Sequence, residues 1–259
     1  MTSTFLPDES WATREGASDA LSLLSEGLKE LVWPTRCLGC GQPGSLLCER
    51  CKTDLPWIDQ RLACPVCGAP YGKLICTECE GGWESHAAIC ALDFGAKQHL
   101  ASRMVKGLKD GHELRLASTM AQIMATALDQ ASHTPALDGQ PRFDFMHTDG
   151  ICFVPATFSA YARRGFDHME LIAQELSALT GIPMMDVLQR SSCKDQRTLG
   201  REERALNLSH AVSCQADVSG LCLCILDDVI TTGASMRACS RALAERGATS
   251  VCCAFARVW

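Results

Sequence analysis

Four Cys-x-x-Cys pairs crowd one short stretch of the chain: Cys37 with Cys40, Cys48 with Cys51, Cys64 with Cys67, and Cys76 with Cys79. Such a turn brings two thiolates to one face of a loop, and two turns make a tetrahedral sulfur cage for zinc, with bonds of about 2.3 Å. Four turns supply two cages. Eight thiolates with no open coordination position suit structural metal better than catalysis. A redox role for one pair is the alternative, but none sits at the strand-to-helix junction where a dithiol motif works. The halves CLGCGQPGSLLCERC and CPVCGAPYGKLICTEC repeat one another, each with a Cys-x-x-Cys-Gly, a short linker holding Pro and Gly, two apolar residues and a second pair. Gly41 and Gly68 follow the first pair of each half, where the knuckle needs a residue tolerant of positive φ. The pattern is that of a double zinc ribbon. Two pairings fit the spacing: each half closing on its own metal, or Cys37 and Cys40 sharing one with Cys64 and Cys67.

A second constellation is LCLCILDDVITTGAS at 221–235. A buried strand runs into two adjacent carboxylates, Asp227 and Asp228, then into a loop of hydroxyls with a glycine, then into a helix. Gly233 permits close backbone approach, and the N–H groups opening the helix favour an anion, as does its dipole. Thr231, Thr232 and Ser235 add hydroxyl donors on either side of Gly233 and Ala234. The carboxylates offer acceptor oxygens to vicinal ribose hydroxyls. Unpaired, two such groups repel, and a polyol or a magnesium-bound ligand relieves that. Together these features suit a sugar phosphate. Helix capping accounts for one Asp but not for Thr-Thr-Gly.

The elements that must position these groups can be read around them. After 81–82 the chain alternates strand and helix. An apolar run at 86–94 precedes helices through Leu100, Met104 and Leu108 and through Leu116, Met120 and Met124. ICFV at 151–154 is a buried strand. Met169, Ile172, Leu176 and Leu179 mark a helix stopped by Gly181 and Pro183. The run 221–226 is a strand, 236–246 a helix capped by Gly247, and 251–256 a last strand. Strands alternating with helices predict an α/β fold, a doubly wound, mostly parallel sheet whose ligands bind beyond the carboxyl ends of the strands. Ahead of the ribbons, Leu21, Leu24, Leu28 and Leu31 recur at helical spacing up to Pro34. The expected organisation is an N-terminal segment with this helix at 1–35, the double ribbon at 36–82 and the larger domain at 86–259. The remaining cysteines, among them Cys222, Cys224, Cys252 and Cys253, read as small buried apolar residues.

Composition narrows the function. The chain has 259 residues, 47% of them hydrophobic, and a formal charge of −6, so it packs a core and does not coat nucleic acid by bulk attraction. Apolar runs such as 221–226 stop at six residues, far below the roughly 18 that mark a membrane span. No secretory signal is readable in MTSTFLPDESWATREG, which points to the cytoplasm and to reduced or metal-bound thiols.

At DDVITTG the sequence resembles the type I phosphoribosyltransferases. That resemblance implies that Thr231, Thr232, Gly233, Ala234 and Ser235 bind the 5-phosphate of phosphoribosyl pyrophosphate (PRPP). It implies also that Asp227 and Asp228 act at the ribose hydroxyls, with magnesium on the pyrophosphate. ARRGFDHMELIAQEL at 162–176, RSSCKDQRTLGREERALNLSHAV at 190–212 and the double ribbon together resemble the ComF family, also called GntX-like, over nearly the whole chain from about Leu21. The family's Arg-Gly-Phe-Asn-Gln stands here with Asp167 and His168 in its last two places, which weakens any specific role for them. Gln196, Arg204 and Asn207 match the family.

The turn after 151–154, with Pro155 and Ala156, is the natural place for pyrophosphate, and Arg163 and Arg164 are the cations to pair with it. A solvated face is the alternative for these arginines. The 190–212 connection resembles the flexible hood of such enzymes, with Lys194 and Arg204 as its cations. Lys106 and Lys109 read as surface lysines. The resemblance implies PRPP as ligand, a role in DNA uptake and competence, and single-stranded DNA and a helicase as partners. Phosphoribosyl transfer to a nitrogenous acceptor is one activity, and a catalytically inactive accessory role on DNA is another. No general base for an acceptor and no base-recognition pocket can be read, so both stand. Nucleobase salvage is disfavoured because it needs no eight-cysteine appendage.

Overall fold

The computed structural model describes residues 34–71, 75–77, 79, 82–95, 100–190 and 212–259. The expected helix at 21–31 and the polar connection carrying Lys194, Gln196, Arg201, Arg204 and Asn207 lie outside the described residues. Two compact units are present, Met1–Thr53 and Asp54–Trp259, so the division falls between the ribbon halves.

In the first unit the knuckle at Cys37 closes because Gly41, at φ +76°, can turn its N–H back onto the Cys37 carbonyl at 2.8 Å. The second pair is carried by one short helix, α1 (Glu49–Thr53), which starts just after Cys48.

The second unit runs β1 (Ala88–Asp93), α2 (Leu100–Lys109), α3 (Leu116–Ser132), β2 (Gly150–Phe153), α4 (Phe158–Arg164), α5 (His168–Thr180), β3 (Leu188–Arg190), β4 (Val212–Cys214), β5 (Cys222–Ile230), α6 (Ala234–Ala244) and β6 (Thr249–Arg257). Strands β1, β6, β5 and β2 form one sheet in that order, every pair parallel, and β3 and β4 form a small antiparallel pair. A parallel sheet is covered on both faces, so its strands read as apolar throughout. All of Gly150–Phe153 is buried, as is β6 after its first residue.

Alternation assigns the two faces. Ala88, Cys90, Cys152, Leu223, Ile225, Cys252 and Ala254 share a core with Met236, Cys239, Ala242 and Leu243 of α6. The intervening residues, including Ile89, Ile151, Leu226 and Phe255, are also buried, and α3 and α5 contact the same strands and each other. The expected doubly wound α/β architecture is what forms. Helix ends follow their sequence signals: Asp167 caps α5 by accepting from the Met169 N–H at 2.9 Å, and Gly181 ends it at φ +76°. Helix α6 starts at Ala234, ahead of the expected 236, and ends at Ala244, with Gly247 in the turn beyond it.

Burial pushes the thiols of the sheet cysteines up, Cys252 to about 11 and Cys90 to about 12, as befits side chains acting as small apolar residues. Cys222 is only half-buried.

Candidate functional site

The eight ribbon cysteines form two tetra-cysteine clusters, Cys37/Cys40/Cys48/Cys51 and Cys64/Cys67/Cys76/Cys79, with the sulfur atoms of each within 4.8 Å of one another. Each half therefore closes on itself, and the crossed pairing is not formed. Contacts of 3.9 Å for Cys64 with Cys79, 3.6 Å for Cys67 with Cys76 and 3.4 Å for Cys76 with Cys79 lie near the sulfur–sulfur edge of the tetrahedron. That edge is about 3.8 Å for bonds of about 2.3 Å. Backbone N–H groups already orient the sulfurs: Cys48 donates to the Cys37 sulfur and Cys76 to the Cys64 sulfur, each at 3.4 Å.

Burial opposes ionisation of Cys37, but N–H groups of Cys48, Cys40 and Gly39 overcome it and hold its pKa at about 6. Cys51 beside it is pushed up to about 12, first by burial and then by its hydrogen bond to Cys37. Four sulfurs this close cannot all ionise without a cation among them. The donor set, its closure and its burial fit structural zinc. The second cluster is the deeper. Gly68 sits at φ +69° with its Cα so close to Cys90 that a Cβ would strike the Cys90 sulfur, and Ala88 donates to Pro65 O at 3.1 Å.

The other site lies at the carboxyl ends of β5 and β2. Strand β5 continues to Ile230, so Asp227 and Asp228 are within it rather than beyond it. Asp227 Oδ1 accepts from the Asp228 N–H at 2.9 Å, and Asp228 Oδ1 from the Val229 N–H at 2.8 Å. Asp228 is 5% exposed, and its Oδ2 is ion-paired with Lys109 at the end of α2. Lys109 is thus not the surface lysine expected from sequence. His168, also buried, opens α5 and brings Nε2 to 3.4 Å from the same oxygen, an electrostatic contact rather than an aligned hydrogen bond. Its Nδ1 faces Arg164 Nη1 at 3.2 Å; since a guanidinium only donates, Nδ1 accepts and the ring proton sits on Nε2, toward Asp228. The substituted position 168 thus lies against the acidic pair.

These neighbours separate the two acids. Burial alone would raise the Asp228 pKa, but His168 and Lys109 outweigh it and hold the group below the usual carboxylate range. Asp227, half-buried, is pushed well up, first by burial and then by the negative charge of Asp228, against a lesser pull from Lys109. The two acids are thus pushed in opposite directions.

Beyond β5 the chain passes through the 231–233 turn into α6. Thr231 and Thr232 are exposed, Gly233 is buried at φ +75° and caps α6 without a side chain, and Thr232 Oγ1 accepts from the Ala234 N–H at 3.4 Å. A side chain at Gly233 would collide with the Trp83 indole. Arg257, at the end of β6, supports the loop from below: Nη1 donates to Ile230 O at 3.1 Å, to Thr231 O at 2.5 Å and to Val258 O. On the other side, the Val154 N–H donates to Leu226 O at 2.9 Å, which sets the Pro155–Ala156 turn beside the acidic pair. Arg190 joins the two loops, donating through Nε to Pro155 O at 2.8 Å and through Nη2 to Ser235 Oγ at 3.3 Å. The Ala156 N–H is engaged by Asp167 Oδ2 at 2.8 Å. Of the two arginines of α4, Arg164 turns inward to His168 while Arg163 is exposed.

Sequence reasoning did not single out Lys109, His168, Arg190, Arg257 or Trp83. Only Arg257 carries a local signal, as the one charge ending an apolar strand. Among the described residues, no helix is long and apolar enough to cross a membrane.

A parallel α/β sheet with a hydroxyl-rich loop at its carboxyl edge, behind paired cysteine clusters, is an architecture consistent with a phosphoribosyltransferase-like fold. Comparison with known proteins narrows the class. Residues 28–80 match the double zinc ribbon domain family. The chain is 26% identical to DNA utilization protein YhgH of Salmonella typhi over 85% of its own length and 96% of that protein. It is 25% identical to competence protein F of Haemophilus influenzae, over 83% of this chain and 93% of the relative. To competence protein ComFC of Bacillus subtilis it is 21% identical, over 86% and 87%. The ribbon match and these relatives make the chain similar, over most of its length, to DNA utilization and competence proteins of the ComF type.

Proposed function

We propose that the chain is a PRPP-binding protein of the phosphoribosyltransferase type acting in DNA uptake, with structural zinc in its ribbons. The names of the relatives support the DNA-uptake role. One observation carries the ligand reading: Arg190 ties the Pro155 turn to Ser235, bringing a cation and the hydroxyl-rich 231–235 loop together at the Asp227–Asp228 strand end. In that arrangement the 5-phosphate sits on the N–H groups and hydroxyls of 231–235, and Asp227 and Asp228 receive the ribose hydroxyls. Asp227 is the more exposed of the two and is the acid nearer to a ligand, while Asp228 is buried among its own partners. Lys109 and His168 keep Asp228 in place before any ligand arrives. Among the described residues, only the cysteine clusters bring three or more His, Cys, Asp or Glu ligands together, so magnesium would come held by the pyrophosphate.

If transfer follows, the C1–O bond breaks with its electron pair leaving on pyrophosphate, the acceptor nitrogen bonds C1, and the acceptor's proton leaves to solvent. Catalysis of that kind is mostly positioning and charge stabilisation. The accessory reading needs the same PRPP site without turnover. Calorimetry with PRPP and magnesium tests the shared element. The wild type should bind, and Asp227→Asn/Asp228→Asn should lose about tenfold or more in affinity. Equal affinity in both would remove PRPP from this site.

A further inference from the structure

A cavity of about 460 Å³ opens beside the phosphate loop. Thr231 and Thr232 form one wall, Trp83, Trp259, Arg237 and Arg257 line much of the rest, and Val258 with Cys67 and Cys79 of the second cluster completes it. Its size falls within the roughly 300–1,000 Å³ of small-ligand sites. Two indoles on one small cavity offer flat apolar faces, which stack well on a planar ring. Arg237 lies 5.9 Å from the centre of the Trp83 ring, held there by a bond from Nη2 to Thr232 O at 3.4 Å.

The charges are unbalanced. Among the described residues neither Arg237 nor Arg257 has a carboxylate partner, although Arg257 is only 7% exposed. Nη1 of Arg257 is spent on three carbonyls, but its buried Nε has no hydrogen-bond partner among the described residues. A buried guanidinium N–H left unpaired costs about 1–3 kcal/mol, which an acceptor atom on a ligand would recover. Solvated lysines would attract any anion, whereas fixed planar guanidinium groups among indoles select an anion that is itself flat.

We infer that this cavity binds a planar heteroaromatic ring carrying an anionic substituent. On the phosphoribosyl reading above, on which this step rests, that ring is the acceptor. The cavity shares Thr231 and Thr232 with the phosphate loop, which puts the ring next to the sugar. It also supplies what the sequence did not disclose, a pocket for a base. The ring stacks on Trp83 and Trp259, and its anionic group faces the arginines.

The test uses calorimetry on the full-length zinc-loaded protein, with and without PRPP and magnesium. The probes are orotate against uracil, and nicotinate and pyridine-2,3-dicarboxylate against nicotinamide. At least one anionic ring should bind about tenfold more tightly than its neutral counterpart. Arg237→Ala should lose about tenfold of that binding and Trp259→Leu several-fold. Both positions are partly exposed, so the variants should fold, and an unchanged melting curve verifies it. If no anionic ring outbinds its neutral partner, or if both variants bind as the wild type does, the inference falls. PRPP binding without ring binding removes this inference and leaves the phosphate-loop reading standing. Ring binding without PRPP binding supports the pocket and removes the phosphoribosyl reading instead.

Discussion

Cys64, Cys67, Cys76 and Cys79 crowd four ionisable sulfurs within 4.8 Å, and Asp227 and Asp228 crowd two carboxylates at neighbouring positions of β5. Both clusters lie in the same unit and both concentrate negative charge away from water. They differ in where relief comes from. In the sulfur cluster Cys67 is pushed far up by its hydrogen bond to Cys64 and by burial, while Cys64 is drawn down to about 4, mainly by that same bond. The cluster's balance must come from a metal. The acidic pair carries its cation within the chain, as Lys109, with His168 behind it. One cluster is assembled by what it binds, and the other is assembled before it binds.

That contrast sets the largest effect. Structural zinc contributes on the order of 10 kcal/mol in small zinc domains, because the site and the fold form together. Zinc analysis should give about two metals per chain, and Cys64→Ser/Cys67→Ser should leave one. Because Gly68 abuts Cys90 of β1, losing the second metal should also lower the melting temperature of the α/β unit by several degrees. An α/β unit that melts unchanged after the second metal is lost would mean the cage is an appendage, and the contrast would fail on the metal side.

What could be read in the chain beforehand follows the same division. The cages are local: four pairs at fixed spacing, with Gly41 and Gly68 at the expected positive φ, state their own chemistry. So does the hydroxyl-rich turn around Gly233, also at positive φ, which depends on neighbours only a few residues away. Lys109, His168 and Arg190 meet their partners only after the sheet has been assembled, β2 against β5 and α2 near its end. No periodicity in their own segments marks them. Lys109 ends an amphipathic helix, where a lysine is ordinarily solvated, and His168 stands where the resembling family has Gln. The pairing of the sulfurs was open for a related reason, since spacing fixes which turns form but not which turns face each other.

On the acidic side, the claim that Lys109 is a built-in counter-ion predicts a mid-sized effect. Lys109→Met leaves Asp228 buried and short of its main charge partner, a loss of about 2 kcal/mol given that the lysine is partly exposed. Adding Asp228→Asn should restore most of it, because the orphaned charge is gone. Chemical denaturation of the two single variants and the double variant measures the coupling. Additive losses would show that Lys109 and Asp228 do not depend on one another.

The smallest effect is a gain, and it separates the two carboxylates. Asp227 has a folded-state pKa well above its unfolded value, so below the unfolded value, near pH 4, the acid is protonated in both states and has no effect. As pH rises, the unfolded chain releases the proton while the folded one retains it, so stability is lost progressively up to the folded pKa. Asp227→Asn has no proton to release, yet its amide oxygen can still accept from the Asp228 N–H. The variant should match the wild type at pH 4 and exceed it by about 1 kcal/mol at pH 7. Asp228→Asn should do the opposite, since the ionised group is the one that Lys109 and His168 favour. Its cost should appear at pH 7 and fade only in strong acid, as the wild-type carboxylate is itself protonated. Two denaturation series over pH decide this. If Asp227→Asn destabilises at pH 7, the negative charge sits on both acids, and the strand end, like the cage, would need a cation from outside.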